Sequence, residues 1–119
     1  DGDNATRANM TQSRGRLIRR IWVRESDSKG FPHDLRFPNI RTLRMSFVPI
    51  EPLLLQGFFN FMPTLRVLDL SSSRLKELPV DIGSLPELRY LNISHTLIEA
   101  LPKELGRLVK LRQLELRGT

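Results

Sequence analysis

Residues 65–87 read LRVLDLSSSRLKELPVDIGSLPE, and residues 88–110 read LRYLNISHTLIEALPKELGRLVK. Laid over one another, the two stretches share their aliphatic residues at Leu65/Leu88, Leu68/Leu91, Leu70/Ile93, Leu75/Ile98, Leu78/Leu101, Ile82/Leu105 and Leu85/Leu108. Pro79/Pro102 and Gly83/Gly106 coincide as well. Seven apolar positions in 23 residues cannot close a core alone, but stacked on neighbours they form one continuous core.

The head of this repeat recurs along the chain. It is an aliphatic residue, two others, an aliphatic residue, one other, and an aliphatic residue. It occurs at Ile18–Ile21–Val23, Ile40–Leu43–Met45, Leu65–Leu68–Leu70, Leu88–Leu91–Ile93 and Leu111–Leu114–Leu116, with first positions 22, 25, 23 and 23 residues apart. A period in the twenties with this frame predicts a leucine-rich-repeat solenoid. It is an α/β repeat, with a parallel sheet on the concave face and an irregular or short-helical convex side. The frame predicts five strands, near 18–23, 40–45, 65–70, 88–93 and 111–116. The repeat domain then spans 17–119, preceded by a flexible polar linker over 1–16. Both ends look cut, because a solenoid covers its core edges with caps and neither end supplies one.

Side chains alternate along a strand, so Leu68 and Leu70 point inward. The concave face is then built from Trp22, Val67, Asp69, Ser71, Tyr90, Asn92, Ser94, Gln113 and Glu115. Three residues past the third aliphatic position, where an Asn ladder is usual, stand Ser73 and Thr96, whose hydroxyls can bond nearby backbone. The Leu-Pro pair starts the return on the convex side, where a missing N–H costs nothing. Between the second and third strands, Leu53, Leu54, Leu55, Phe58, Phe59, Phe61 and Met62 suit a short helix that fills the core. Segment 24–39 is rich in turn residues and reads as extended loop.

The length allows one domain. No apolar run approaches the length of a membrane span, and the polar N-terminus shows no signal peptide. The chain has no cysteine, which favours a reducing, cytoplasmic compartment over the disulfide-capped extracellular repeats. Sequons at Asn4, Asn9 and Asn92 read as chance matches, since Asn92 falls within a strand. His33 and His95 are isolated, and neither a nucleophile elbow nor a Cys/His metal cluster occurs. An enzyme is not expected, nor is a metal or cofactor in this segment.

The net charge is +6, and its distribution is informative. The second position of the frame is arginine in all five repeats, at Arg19, Arg41, Arg66, Arg89 and Arg112. Stacked strands would align these along one edge of the concave face, with Arg20, Arg24 and Arg44 thickening its N-terminal end. Solvated repeat consensus, with arginine stems covering apolar surface, is one reading. A basic docking strip for an acidic protein partner is the second. Nucleic acid comes last, because few aromatics interleave the strip and no nucleic-acid motif is present. Trp22, beside Arg20 and Arg24, is a candidate interface anchor.

From Phe59 to Leu116 the sequence resembles the first repeats of plant intracellular nucleotide-binding leucine-rich-repeat immune receptors. Met-Pro-x-Leu-Arg-Val-Leu-Asp-Leu at 62–70 and Leu-Arg-Tyr-Leu-Asn-Ile at 88–93 carry the likeness, and 17–24 (LIRRIWVR) is similar to that family's first strand. The resemblance implies an upstream nucleotide-binding switch holding ADP or ATP. This segment has no phosphate-binding loop of its own. It also implies a protein-interaction role in autoinhibition and in recognition of a pathogen effector or guarded host protein. Arg19, Arg20, Arg41 and Arg44 are then the candidates for contact with the nucleotide-binding domain. The alternative is a general cytosolic repeat scaffold of the Ras-pathway type. A basic nucleic-acid or acidic-lipid binder ranks below it.

Overall fold

The computed structural model describes residues 19–23, 39–45 and 58–119. Five short strands form one sheet in sequence order, every neighbouring pair parallel: β1 (Arg20–Val23), β2 (Thr42–Met45), β3 (Val67–Asp69), β4 (Tyr90–Asn92) and β5 (Gln113–Glu115). This is the solenoid that the period predicts. The proposed linker, the segment 24–38 and Leu53–Leu55 lie outside the described residues.

The register aligns like with like. Ile21, Leu43, Leu68, Leu91 and Leu114 stand side by side, and the first four are buried. Ile40, Leu65 and Leu88 form a second buried column, and Met45, Leu70 and Ile93 a third. On β5, the edge strand, Leu111 and Leu114 pack only partly against this core, and Leu116 is exposed.

The strands are shorter than the frame predicts and start two residues later. The cause is visible in the backbone. The Arg19 carbonyl accepts the N–H of both Arg41 (2.8 Å) and Thr42 (2.9 Å), and the Arg41, Arg66 and Arg89 carbonyls accept the corresponding pairs in the following repeats. A carbonyl shared by two successive N–H groups bends the chain into the strand instead of extending the ladder backwards.

The convex side is made of short 3-10 helices at Phe58–Phe61, Val80–Ser84 and Lys103–Arg107. Pro79 and Pro102 precede the last two in extended conformation, with φ of −68° in each case. Their carbonyls accept the N–H groups of Ile82 and Leu105 at 3.1 Å. Phe59 and Met62 are buried, as the core-filling reading requires.

β3, β4 and β5 are each followed by a left-handed residue at the same place in the repeat: Ser72 (φ 58°), His95 (φ 58°) and Gly118 (φ 68°). Next to it stands a hydroxyl. Ser73, Thr96 and Thr119 each donate to the carbonyl three residues earlier, at 2.9, 2.8 and 2.7 Å. The hydroxyls therefore cap their own turns; at Ser73 and Thr96 they satisfy a strand-end carbonyl that would otherwise be buried without a partner, and at Thr119 the bond is exposed.

Candidate protein-docking surface

The five arginines stack as expected, and their backbones are joined. The Arg41 N–H donates to Arg19, Arg66 to Arg41, Arg89 to Arg66 and Arg112 to Arg89, at 2.8, 2.8, 2.9 and 2.8 Å. Strand spacing therefore fixes the column at about 4.8 Å per arginine. It runs along the edge where the chain turns into each strand, just ahead of the concave face.

The column is not uniform. Arg19, Arg41 and Arg112 are exposed, whereas Arg66 and Arg89 are half-buried. The Nε of Arg66 is enclosed with no hydrogen-bond partner. Two residues ahead of Arg41, Arg66, Arg89 and Arg112 stand Asn39, Thr64, Glu87 and Lys110. Lys110 holds Glu87 at 3.1 Å to each carboxylate oxygen. That hydrogen bond and charge keep the Glu87 pKa below the ordinary glutamate range, helped by the charges of Arg89 and Arg66. Glu87 thus offsets the later part of the column. At Asn39 and Thr64, the equivalent positions in the first part, the side chains are neutral, and Thr64 Oγ1 donates to the Ile40 carbonyl at 2.7 Å.

The concave face carries two outward columns. One is Arg20, Thr42, Val67, Tyr90 and Gln113; the other is Trp22, Arg44, Asp69, Asn92 and Glu115. In the later strands most of these polar groups are occupied within the array. Asp69 Oδ1 accepts both the Ser71 N–H (2.9 Å) and the Ser71 hydroxyl (2.6 Å). Asn92 Oδ1 accepts the Ser94 N–H (3.0 Å), and Gln113 donates to Glu115.

Ser94 corrects the sequence reading. It is buried rather than presented to a partner, and its hydroxyl accepts the Arg117 N–H at 3.1 Å. Alternation would place it outward, but the chain has already left the strand and begun its turn. His95 stands exposed at the left-handed position, where a Cβ on Gly118 would come within 2.6 Å of its Nδ1. Neither this packing nor the role of Thr119 follows from the strand frame. The signal was a recurrence at 72/95/118 and 73/96/119, hidden because the residue types differ.

Among the described residues no group of His, Cys, Asp and Glu could hold a metal ion, and no helix is long and apolar enough to cross a membrane. A surface depression of about 710 Å³ lies on the flank between Leu78, Val80, Leu97 and Leu101.

Residues 63–119 match the family model described as leucine rich repeat. The fold is a leucine-rich-repeat solenoid. Leucine-rich-repeat arrays generally mediate protein–protein interaction, and stacked repeats create an extended concave surface suited to it. No curated protein matches the chain.

Proposed function

We propose that the chain is part of the leucine-rich-repeat region of a plant intracellular immune receptor and acts there as a cytoplasmic protein-interaction module. The finer reading rests on the resemblance of residues 62–70 and 88–93 to that family. The observation that carries the docking role is the arginine column, backbone-bonded from Arg19 to Arg112 and left without carboxylates at its Asn39 and Thr64 positions.

The column suits an acidic protein surface. Arginines whose backbones stack about 4.8 Å apart present a row of guanidinium groups, and an exposed one can hold a carboxylate in a bidentate fork. In the parent receptor this surface belongs to the nucleotide-binding domain. Docking there favours the closed, ADP-bound state, and an effector or modified host protein must bind the open state better to shift the population. The segment supplies contact and no chemistry, and it binds no nucleotide itself.

Two experiments test this. The parent transcript, read upstream of Asp1, is expected to encode a strand, a G-x-x-x-x-G-K-[ST] loop and a helix. An upstream region made only of further repeats makes the protein a scaffold instead. In the intact receptor, Arg41→Glu should weaken attachment to the adjacent domain and raise basal signalling. If neither changes, the docking role is lost.

A further inference from the structure

The flank between the strand turns and the convex helices carries a second kind of surface. Residues of the repeat that starts at Leu65 and of the one that starts at Leu88 line the depression of about 710 Å³ there. A smaller one of about 410 Å³ adjoins it, sharing Glu99, Ala100 and Leu101 and reaching Leu116. Apolar side chains stand in water here: Val80 is 62% exposed, Leu97 53% and Leu101 40%. Exposed apolar surface rimmed by polar groups marks a contact site. The rim is charged, with Lys76, Glu77 and Glu99 all exposed. Lys76 and Glu99 hold the same place in successive repeats and carry opposite charges. Among the described residues neither side chain forms an ion pair or a hydrogen bond.

We propose that this flank is a self-association site, and that its occupant is the same flank of a second copy of the chain. A two-fold axis passing between the two repeats relates the copies. Charge complementarity selects this occupant. The axis exchanges the repeats, so Lys76 meets Glu99 of the second copy and Glu99 meets its Lys76, and one ion pair is made twice. The exchange also seats Leu97 and Leu101, both from the later repeat, against Val80 and the aliphatic stems of Arg74 and Lys76 in the other copy. Glu77 then faces Ala100, and its charge meets no like charge there. Asp81 and Glu104, which also exchange, lie on the convex helices outside the residues that line the depression. Such a contact is isologous and closes as a dimer with the two solenoids antiparallel. It uses neither the arginine column nor the concave strands, so it is independent of the docking reading above.

Sedimentation velocity of the full chain tests this, from about 1 µM to about 500 µM, the range in which a small interface associates. A monomer–dimer equilibrium is expected. Lys76→Glu and Glu99→Lys should each weaken it at least about tenfold, because each places like charges opposite one another twice. The double variant remakes both pairs with the charges reversed and should restore association to within about threefold. Leu97→Asp should also lose at least about tenfold, and Leu97 is exposed enough that the fold should survive, which far-UV circular dichroism checks. The two single charge variants move the net charge in opposite directions, so a purely net-charge effect would shift association oppositely in the two and would overturn the site. A dimer indifferent to all four variants places the contact elsewhere, such as the edge strand β5, and overturns it too, as does a chain that stays monomeric throughout. The Arg41→Glu test is read in the intact receptor and stands or falls separately.

Discussion

Gly83 and Gly106 occupy the same place in successive repeats, yet they are under different constraints. A Cβ on Gly83 would come within 2.6 Å of the backbone carbonyl oxygen of Glu104, and a Cβ on Gly106 meets nothing within 4 Å. Gly83 therefore sets how closely one convex helix approaches the next. Gly83→Ala should destabilise the chain by about 1–3 kcal/mol, the usual cost of overpacking. Gly106→Ala should be neutral or stabilising by up to about 1 kcal/mol through the unfolded state. Paired urea midpoints check both, and equal effects would refute the packing account. A second residue, Asp81, has both carboxyl oxygens enclosed without a hydrogen-bond partner. Burial raises its pKa, only partly opposed by the pull of its own backbone N–H, which makes no full hydrogen bond to it. The folded state thus holds the Asp81 proton more tightly than the unfolded chain does. Its contribution is fully present below the ordinary aspartate pKa of about 3.9 and is lost as pH rises through the higher folded value. Asp81→Asn should raise the melting temperature at pH 7, and the gain should vanish below about pH 3.9. A gain unchanged across that range would show that ionisation is not the cause.

At the scale of the element, the turn that follows β3 and again β4 is the unit that makes the repeat close. It combines an Asx-type bond from Asp69 or Asn92, a left-handed residue at Ser72 or His95, and a hydroxyl cap at Ser73 or Thr96. Thr96→Val keeps the shape but leaves the buried Ile93 carbonyl without its 2.8 Å donor. It should cost about 1–3 kcal/mol, the desolvation cost of an unmade bond, read as a shift in denaturation midpoint. A cost near zero would mean the hydroxyl is only tolerated there. The sequence made the hydroxyl position legible, because Ser73 and Thr96 fall where the repeat needs a backbone partner. It also made the inward columns legible, since aliphatic residues at i, i+3 and i+5 leave one register that buries them all. The strand starts were not legible: the frame continues to Leu65 and Arg66, but a carbonyl shared between two N–H groups is a backbone event with no residue signature. Ser94 was misplaced for a related reason. Alternation is a rule for strands, and by three residues past Asn92 the chain has positive φ at His95 and the rule has lapsed. Of the candidate docking residues, the stacking of the arginines could be read from their recurrence. Their unequal burial could not, because it depends on how the neighbouring repeats pack around each side chain.

At the scale of the whole molecule, the sheet order β1-β2-β3-β4-β5 means that each repeat touches only its neighbours. Stability is then close to a sum of repeat terms and nearest-neighbour interfaces. Leu68 and Leu114 lie in one inward column, and the register links them through Leu91. Leu68 is fully buried between two strands, whereas Leu114 on the edge strand is only partly covered. Leu68→Ala should therefore cost about 2–5 kcal/mol, as for a deep core truncation, and Leu114→Ala clearly less. The two should also differ in where the loss appears. Hydrogen exchange in Leu114→Ala should quicken at the amides that join β4 to β5, such as Ile93, which donates to the Glu115 carbonyl at 3.0 Å. Exchange around β2 and β3 should be unchanged. Leu68→Ala removes a contact from two interfaces at once, so its exchange should quicken on both sides, at Val67 and Arg66 toward β2 and at Leu70 and Ser72 toward β4. If both variants instead raised exchange uniformly along the array, the solenoid would unfold as one block. The docking column would then be coupled end to end, and a contact at Arg41 would be felt at Arg112 through the backbone that joins them.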